Sequence, residues 1–266
     1  MYETHWGLQE SPFRGIADPR YFYCSPTHDE ALARLSFLVE NRRRLGLLMG
    51  GPGSGKTLVL KVLASQLAEI GCQVALVNLL SLDERAMLWE LATQLNRNPR
   101  EEDTPFQLWR SIADRVAENS YQQLATVLLL DDVDEASAAL LQQIVRLVRH
   151  DPTGASSLTT VLAVDPRCVN RLGRRILELA ELRIDLESWE PDDTRRYLHD
   201  SLAKAGSQQT VFEAEAASRL HELARGIPRQ VSNLAEMALL AGAGRQLPQI
   251  DAATVESVYE ELIVAR

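Results

Sequence analysis

Cysteine is scarce in this chain. Cys24, Cys72 and Cys168 stand far apart, odd in number and without metal-ligand spacing. That pattern excludes a disulfide framework and a zinc site, and it reads as reduced cytosolic thiols. Long hydrophobic runs are missing too, since no apolar stretch reaches the ~18 residues that span a bilayer. The start Met1-Tyr2-Glu3-Thr4-His5-Trp6 is neither basic nor apolar enough for a signal peptide, so the expected compartment is cytoplasmic. Positive charge is in deficit: 28 Lys and Arg face 37 Asp and Glu, a formal net charge of -9 with a pI of about 5.2. Such a surface repels DNA and acidic lipid, which disfavours DNA as a partner and leaves only local contacts open. Local patches exist at Arg42-Arg43-Arg44 and around Arg146, Arg149, Arg171, Arg174 and Arg175, although such runs are more often solvated faces. Repeats, low-complexity tracts and flexible linkers are absent as well. What remains is ordinary for a globular protein: 266 residues, 45% hydrophobic and 24% charged, enough for one large or two modest domains.

Against these absences stands one dense motif. Gly50-Gly51-Pro52-Gly53-Ser54-Gly55-Lys56-Thr57 fits G-x-x-x-x-G-K-[ST]. Phosphate needs many donors converging on a small volume, and only a backbone free of Cβ atoms wraps closely enough to aim its N–H groups inward. A helix starting near Lys56 and continuing through Leu58 adds unpaired N–H groups and a positive dipole end. The Lys56 ammonium reaches the β- and γ-phosphates, and Thr57 is placed to ligate Mg²⁺. The setting agrees, because Leu45-Gly46-Leu47-Leu48-Met49 reads as a short buried strand before the loop.

Short apolar runs then alternate with helical patterns. Val74–Val77, Val127–Leu130 and Thr159–Val164 read as buried strands, the last stopped by Asp165-Pro166. Ser25-Pro26 opens a helix running to about Arg43, and Ser81-x-x-Glu84 and Thr104-x-x-Gln107 read as capping boxes for two more. Another helix is expected over roughly Ala136 to Arg149. This alternation predicts an α/β fold with a parallel sheet covered on both faces. From about Pro191 only helices follow, roughly Asp192–Ala205, Val211–Arg225, Arg229–Ala241 and Ala252–Ile263. The expected division is therefore an N-terminal arm over 1–26, rich in aromatic residues and read as extended, an α/β domain over 27–190 and a helical lid over 191–266.

Asp131 closes the strand Val127–Leu130 at the end where open α/β sheets bind ligands, so its carboxylate is expected to face the loop and hold Mg²⁺ through water. Asp132, next to it, is the candidate to orient and deprotonate an attacking water. Asp134 and Glu135 are read instead as caps of the following helix. Two arginines fit a nucleotide-driven switch: Arg229, heading a helix after Arg225-Gly226-Ile227-Pro228, for the γ-phosphate, and Arg183, near the last strand, for a neighbouring subunit's phosphate. Arg174 and Arg175 rival Arg183.

At this point the residues resemble a family. The chain is similar to the AAA+ P-loop ATPases, and more narrowly to the ATPase domain of the general secretion pathway protein A (ExeA) group, related to transposition helper ATPases. The group-specific likeness lies in Met1-Tyr2, His5-Trp6-Gly7-Leu8, Ser11-Pro12-Phe13, Asp18-Pro19, Tyr21-Phe22-Tyr23, Ser25-Pro26, His28 and Glu30-Ala31. The run from Gly226, GIPRQVSNLAEMAL, resembles its sensor 2 helix. The resemblance implies a three-layer P-loop domain with a helical lid, an arm that helps hold adenine, Arg229 as sensor 2 and Arg183 as an arginine finger. Three departures accompany it. Asp132 stands where the group has Glu, and Asp165 stands at the sensor 1 position where it has Gln. Secretion members continue into a membrane segment whereas this chain stops at Arg266, so no direct membrane insertion is expected.

The sequence thus predicts an Mg²⁺-dependent ATPase acting as a nucleotide-driven switch or assembly factor, with ATP and Mg²⁺ as cofactors. A finger supplied in trans implies a nucleotide-dependent homo-oligomer, and a switch implies a protein partner whose identity the sequence does not give. Two alternatives stay open: a slow-hydrolysing ATP-binding module, suggested by Asp132, and a DNA-associated helper ATPase using Arg42, Arg43 and Arg44. A small-molecule P-loop kinase is disfavoured by the long helical C-terminal region.

Overall fold

A computed structural model describes residues 2–13, 19–150, 158–207 and 209–264. Met1 and Asp18 of the N-terminal signature lie outside the described residues. The chain divides into two compact units, His28–Pro52 with Lys56–Leu186, and Met1–Thr27 with Gly53–Gly55 and Glu187–Arg266.

The first unit is built on five parallel strands: β1 Leu45–Met49, β2 Gln73–Asn78, β3 Thr126–Asp131, β4 Leu158–Val164 and β5 Leu182–Asp185, in the order β2-β3-β4-β1-β5. β1, β3 and β4 are buried along their whole length, as expected for strands without polar alternation. Helix α2 Pro26–Glu40 precedes β1; parallel pairing needs crossovers, and α3 Lys56–Glu69, α4 Glu84–Gln94, α5 Pro105–Tyr121, α6 Ala138–Val148 and α7 Gly173–Leu179 supply them. Register aligns the strand ends, with Met49 opposite Val164 and Asn78 opposite Asp131. Gly50, Asp131 and Asp165 therefore emerge at one edge of the sheet.

Several local expectations are corrected here. α4 is capped by Asp83, whose side chain accepts the Ala86 N–H at 2.7 Å, while Ser81 has φ +60 and no capping role. A carboxylate at that position also complements the helix dipole, so it wins over the hydroxyl two residues earlier. The Thr104 and Gln107 box forms as expected. The helix expected from Ala136 is preceded by a 3₁₀ turn, Val133–Glu135, and starts at Ala138 with Ser137 as its cap, so Asp134 and Glu135 do not cap it. α7, which carries Arg174 and Arg175, has no counterpart in the sequence expectation.

The second unit is helical: α1 Tyr2–Trp6, α8 Pro191–Lys204, α9 Ala214–Ala224, α10 Pro228–Gly244 and α11 Ala252–Val264. Its first segment is not extended throughout, because α1 docks by Trp6, which is 2% exposed and donates its indole N–H to Leu239 O at 2.9 Å. Gly242 makes room for that ring, since a Cβ there would lie 2.9 Å from Trp6 Cζ2. Phe13 and Tyr197 join the same core, and the Phe13 carbonyl accepts the Ser232 hydroxyl at 3.1 Å. The turn before α10 is fixed by Gly226, whose Cβ would meet Trp189 O at 2.3 Å and whose φ is +64. No side chain fits there.

Candidate nucleotide-binding site

The glycine loop follows β1 directly, and the Gly50 N–H ties it to β4 by a 3.2 Å bond to Val164 O. Gly53 and Gly55 take φ values of +83 and +99, the left-handed region that lets the chain curl. α3 begins at Lys56, so the first-turn N–H groups of the helix sit at the end of the loop without intrahelical acceptors. The Lys56 ammonium donates to Gly50 O at 2.7 Å and to Gly51 O at 3.4 Å, folding the positive charge over the loop. A Cβ built on Gly51 would meet nothing within 4 Å, which leaves that backbone open to close approach. Leu58 continues α3 in its first turn.

Asp131 is the opposite wall. Its carboxylate is 1% exposed, accepts the Thr57 hydroxyl at 2.6 Å and accepts the Asp132 N–H at 3.0 Å. Burial pushes its carboxyl above the usual value and the charge of Asp132 adds to this, while the bonds from Thr57 and the Asp132 backbone and the charge of Lys56 pull the other way. A hydroxyl and a carboxylate in contact form a hard-oxygen donor pair suited to Mg²⁺, which takes one or two protein oxygens and completes its shell with phosphate and water. Among the described residues no group of three or more His, Cys, Asp or Glu could hold a metal on its own.

Asp132 takes a left-handed backbone, φ 51 and ψ 42, and makes no capping bond. Its carboxylate accepts the Asn78 side-chain amide at 2.7 Å. Asn78 escaped the sequence reading. The available signal was a polar residue closing β2, but its partner is fixed only by the pairing of β2 with β3. Asp134 turns to β4 instead, accepting the Asp165 N–H at 3.1 Å. Asp165 is 6% exposed and paired with Arg167, whose Nη2 donates to it at 2.6 Å. That pairing and the charge of Lys56 hold its carboxyl below the usual value.

The remaining candidates are dispersed. Arg183 lies within the edge strand β5, and its guanidinium bonds Asp185 at 2.9 to 3.2 Å. Arg174 pairs with Glu178 along α7. In the helical unit Arg229 is exposed at the second position of α10, and its N–H donates to Gly53 O at 3.2 Å. Arg43 pairs with Glu181 at 3.2 Å, and Arg146 covers the Trp109 ring at 3.8 Å.

A glycine loop leading into a helix, its lysine and threonine beside an aspartate at the carboxyl ends of a parallel sheet, defines a P-loop nucleotide-binding protein. The model of the AAA domain family matches residues 39–172, half of the chain, and the chain belongs to that family. It is 30% identical over 250 residues to general secretion pathway protein A of Aeromonas hydrophila, covering 92% of this chain and 45% of that protein. The chain therefore spans less than half the length of that relative. The fold is shared with Cdc6p from Pyrobaculum aerophilum, 20% identical with a TM-score of 0.74 over 92% of this chain and 70% of that one. It is shared also with the ORC2 protein of Aeropyrum pernix in its ADPNP-ADP complexes, at 15% identity and a TM-score of 0.71 over 93% and 71%. The RuvB Holliday junction branch migration motor of Thermotoga maritima matches at 16% and 0.61 over 94% and 73%. Both the AAA+ resemblance and the likeness to the secretion A group are borne out. Among the described residues no helix is long and apolar enough to cross a membrane.

Proposed function

We propose that the protein binds ATP with Mg²⁺ at this loop and hydrolyses it, acting as a nucleotide-driven switch or assembly factor of the secretion A kind. The observation that carries the reading is the 2.6 Å bond between Thr57 and Asp131 beside the Lys56 ammonium. Lys56 and the loop amides of Gly50, Gly51, Gly53, Ser54 and Gly55 hold the phosphates, with Pro52 stiffening the loop. Thr57 and Asp131 are the residues that would hold Mg²⁺, which supplies charge neutralisation on the phosphates. Asp132 orients water and takes its proton, and Asn78 fixes the carboxylate that does so. Arg229 reads the γ-phosphate, a role supported by its backbone bond to Gly53.

Arg183 acts as a finger toward a neighbouring copy, exchanging Asp185 for phosphate, so assembly is a nucleotide-dependent homo-oligomer that recruits a protein partner in the cytoplasm. Adenine falls to the half-buried Tyr21 and Phe22, because Trp6 and Phe13 are consumed in a core and Tyr23 packs against it. The domain limits 1–26, 27–190 and 191–266 describe the working parts. Mg²⁺-dependent phosphate release that disappears in Lys56→Ala is the expected result; release unaffected by that change contradicts the assignment.

One observation favours a second reading. The short Asp132 side chain is engaged by Asn78, which suits a module that holds ATP and turns it over slowly. A DNA-associated role has no comparable support, with Arg43 and Arg146 already engaged.

A further inference from the structure

In the helical unit α8 and α9 pack on each other, but the segment that leads into α9 is pinned elsewhere. The Ile250 N–H donates to Val211 O at 2.8 Å, the Glu213 N–H donates to Ile250 O at 3.0 Å, and Phe212 pairs with Ile250 in a parallel bridge. That pinning, with the small side chains of Ala203, Ala214 and Ala217, leaves a groove of about 500 Å³ between α8 and this segment. One wall is a single face of α8, in which Arg195, Leu198, His199, Leu202 and Ala203 recur at helical spacing over about 12 Å. Leu198 and Leu202 line it from beneath together with Val211 and Phe212, each at most 7% exposed. An apolar trough of this volume with a few polar groups at its rim is of the size that encloses a small molecule. The groove shares no residue with the glycine loop, Asp131 or Arg229.

Charge is set unevenly around the groove. Arg195 and His199 stand one turn apart on the α8 wall, and each is engaged only along its own helix, Arg195 by Asp192 and His199 by Asp200 at 3.1 Å. Both pairs are open to water, with the Arg195 side chain 53% and the His199 side chain 81% exposed, and such pairs contribute little. The guanidinium fork is therefore free to exchange its partner for the acid of a ligand at small cost. On the opposite wall Glu213 disfavours a second acid. We propose that this groove is a binding site for a small amphipathic acid, a single carboxylate on an apolar body. The apolar body lies along Leu198, Leu202, Val211 and Phe212, and the carboxylate meets Arg195, with His199 beside it. The site is separate from the nucleotide site and does not depend on it.

The test is calorimetric titration of the full chain with probes of one chain length, decanoate, decanol and decylammonium, each kept below the concentration at which it forms micelles. Decanoate is expected to bind about ten-fold tighter than decanol, the scale of one charge-assisted hydrogen bond, with decylammonium weakest. Arg195→Ala should bring decanoate down to the level of decanol while leaving decanol unchanged, so the decanol arm reports an intact groove. Arg195→Glu should invert the order and place decylammonium above decanoate. Ala203→Trp, at an exposed helical position on the groove wall, fills the trough and should abolish binding of every probe with the melting temperature retained. Decanoate bound no tighter than decylammonium, or equally well by the Arg195→Ala chain, overturns the acidic ligand. Probe binding that survives Ala203→Trp lies elsewhere and overturns the site. Absence of binding by all the probes overturns it as well and leaves the groove to a helix of a protein partner.

Discussion

The two edges of the central sheet carry charge in opposite ways. At the carboxyl edge, Asp131 and Asp165 are nearly buried and each is held by short bonds from residues of other elements or of the next turn. At the amino edge, Arg42, Arg43 and Arg44 precede β1 in the open, and the Arg43–Glu181 pair has side chains 55% and 33% exposed. Burying a charge costs several kcal/mol unless partners compensate, whereas an exposed pair contributes about 0–1 kcal/mol. Burial raises the Asp131 carboxyl, so holding its charge there is at the expense of stability, whereas the bonds from Arg167 hold the Asp165 carboxyl down. The carboxyl edge is therefore where the chemistry is expected, and the amino edge is where charge keeps the protein wet.

Breaking the carboxyl edge should have the largest effect. Asp131→Asn, which removes the metal-binding charge with little change of shape, is expected to lower phosphate release about a hundred-fold or more. Asp132 comes next: if its short reach limits water activation, Asp132→Glu should raise turnover about ten-fold with little change in ATP affinity, within the range of a repositioned general base. Brisk turnover by the unmodified chain, with no gain in the variant, would remove the slow-switch reading.

A pH series sharpens the comparison further. Burial raises the Asp131 carboxyl, so it keeps its proton to a higher pH than an exposed aspartate, and Mg²⁺ needs the carboxylate. Mg²⁺-dependent ATP affinity should fall as the pH drops through that raised value, before exposed carboxylates titrate. Stability of the nucleotide-free chain runs the other way. A folded value above the unfolded one contributes stability at pH below the ordinary aspartate value, and this is lost as pH rises through the raised value. Coincident pH profiles with and without Mg²⁺ would contradict the placement of the metal. The smallest effect belongs to the amino edge: Arg43→Ala should change unfolding free energy by about 1 kcal/mol or less and leave ATP binding untouched. Salt-sensitive, ATP-dependent DNA retention lost on replacing Arg42, Arg43 and Arg44 with Ala would reverse the comparison.

The same contrast explains what the sequence made legible. Gly50 to Thr57 and Asp131 were readable because their chemistry is local: the glycines, the lysine and the strand end each announce themselves within a few residues. Asn78 was not, since only the register of β2 against β3 brings it to Asp132. The helical turn at Tyr2–Trp6 was hidden for a related reason. Its indole is housed by Gly242 and Leu239 at the far end of the chain, and no local pattern encodes that cavity. Ser81 misled because a capping box matches by residue type alone, while Asp83 had the better geometry and charge. Arg167 lay two residues from Asp165 and was readable in principle.

The most direct test of the central claim is equilibrium binding of ATP with Mg²⁺ to the full chain and to Lys56→Ala. Removing a charged donor that folds over the loop should weaken binding roughly a hundred-fold, the scale of charge-assisted hydrogen bonds, while the fold persists. Equal affinity of the two proteins would contradict the assignment of this loop as the nucleotide site.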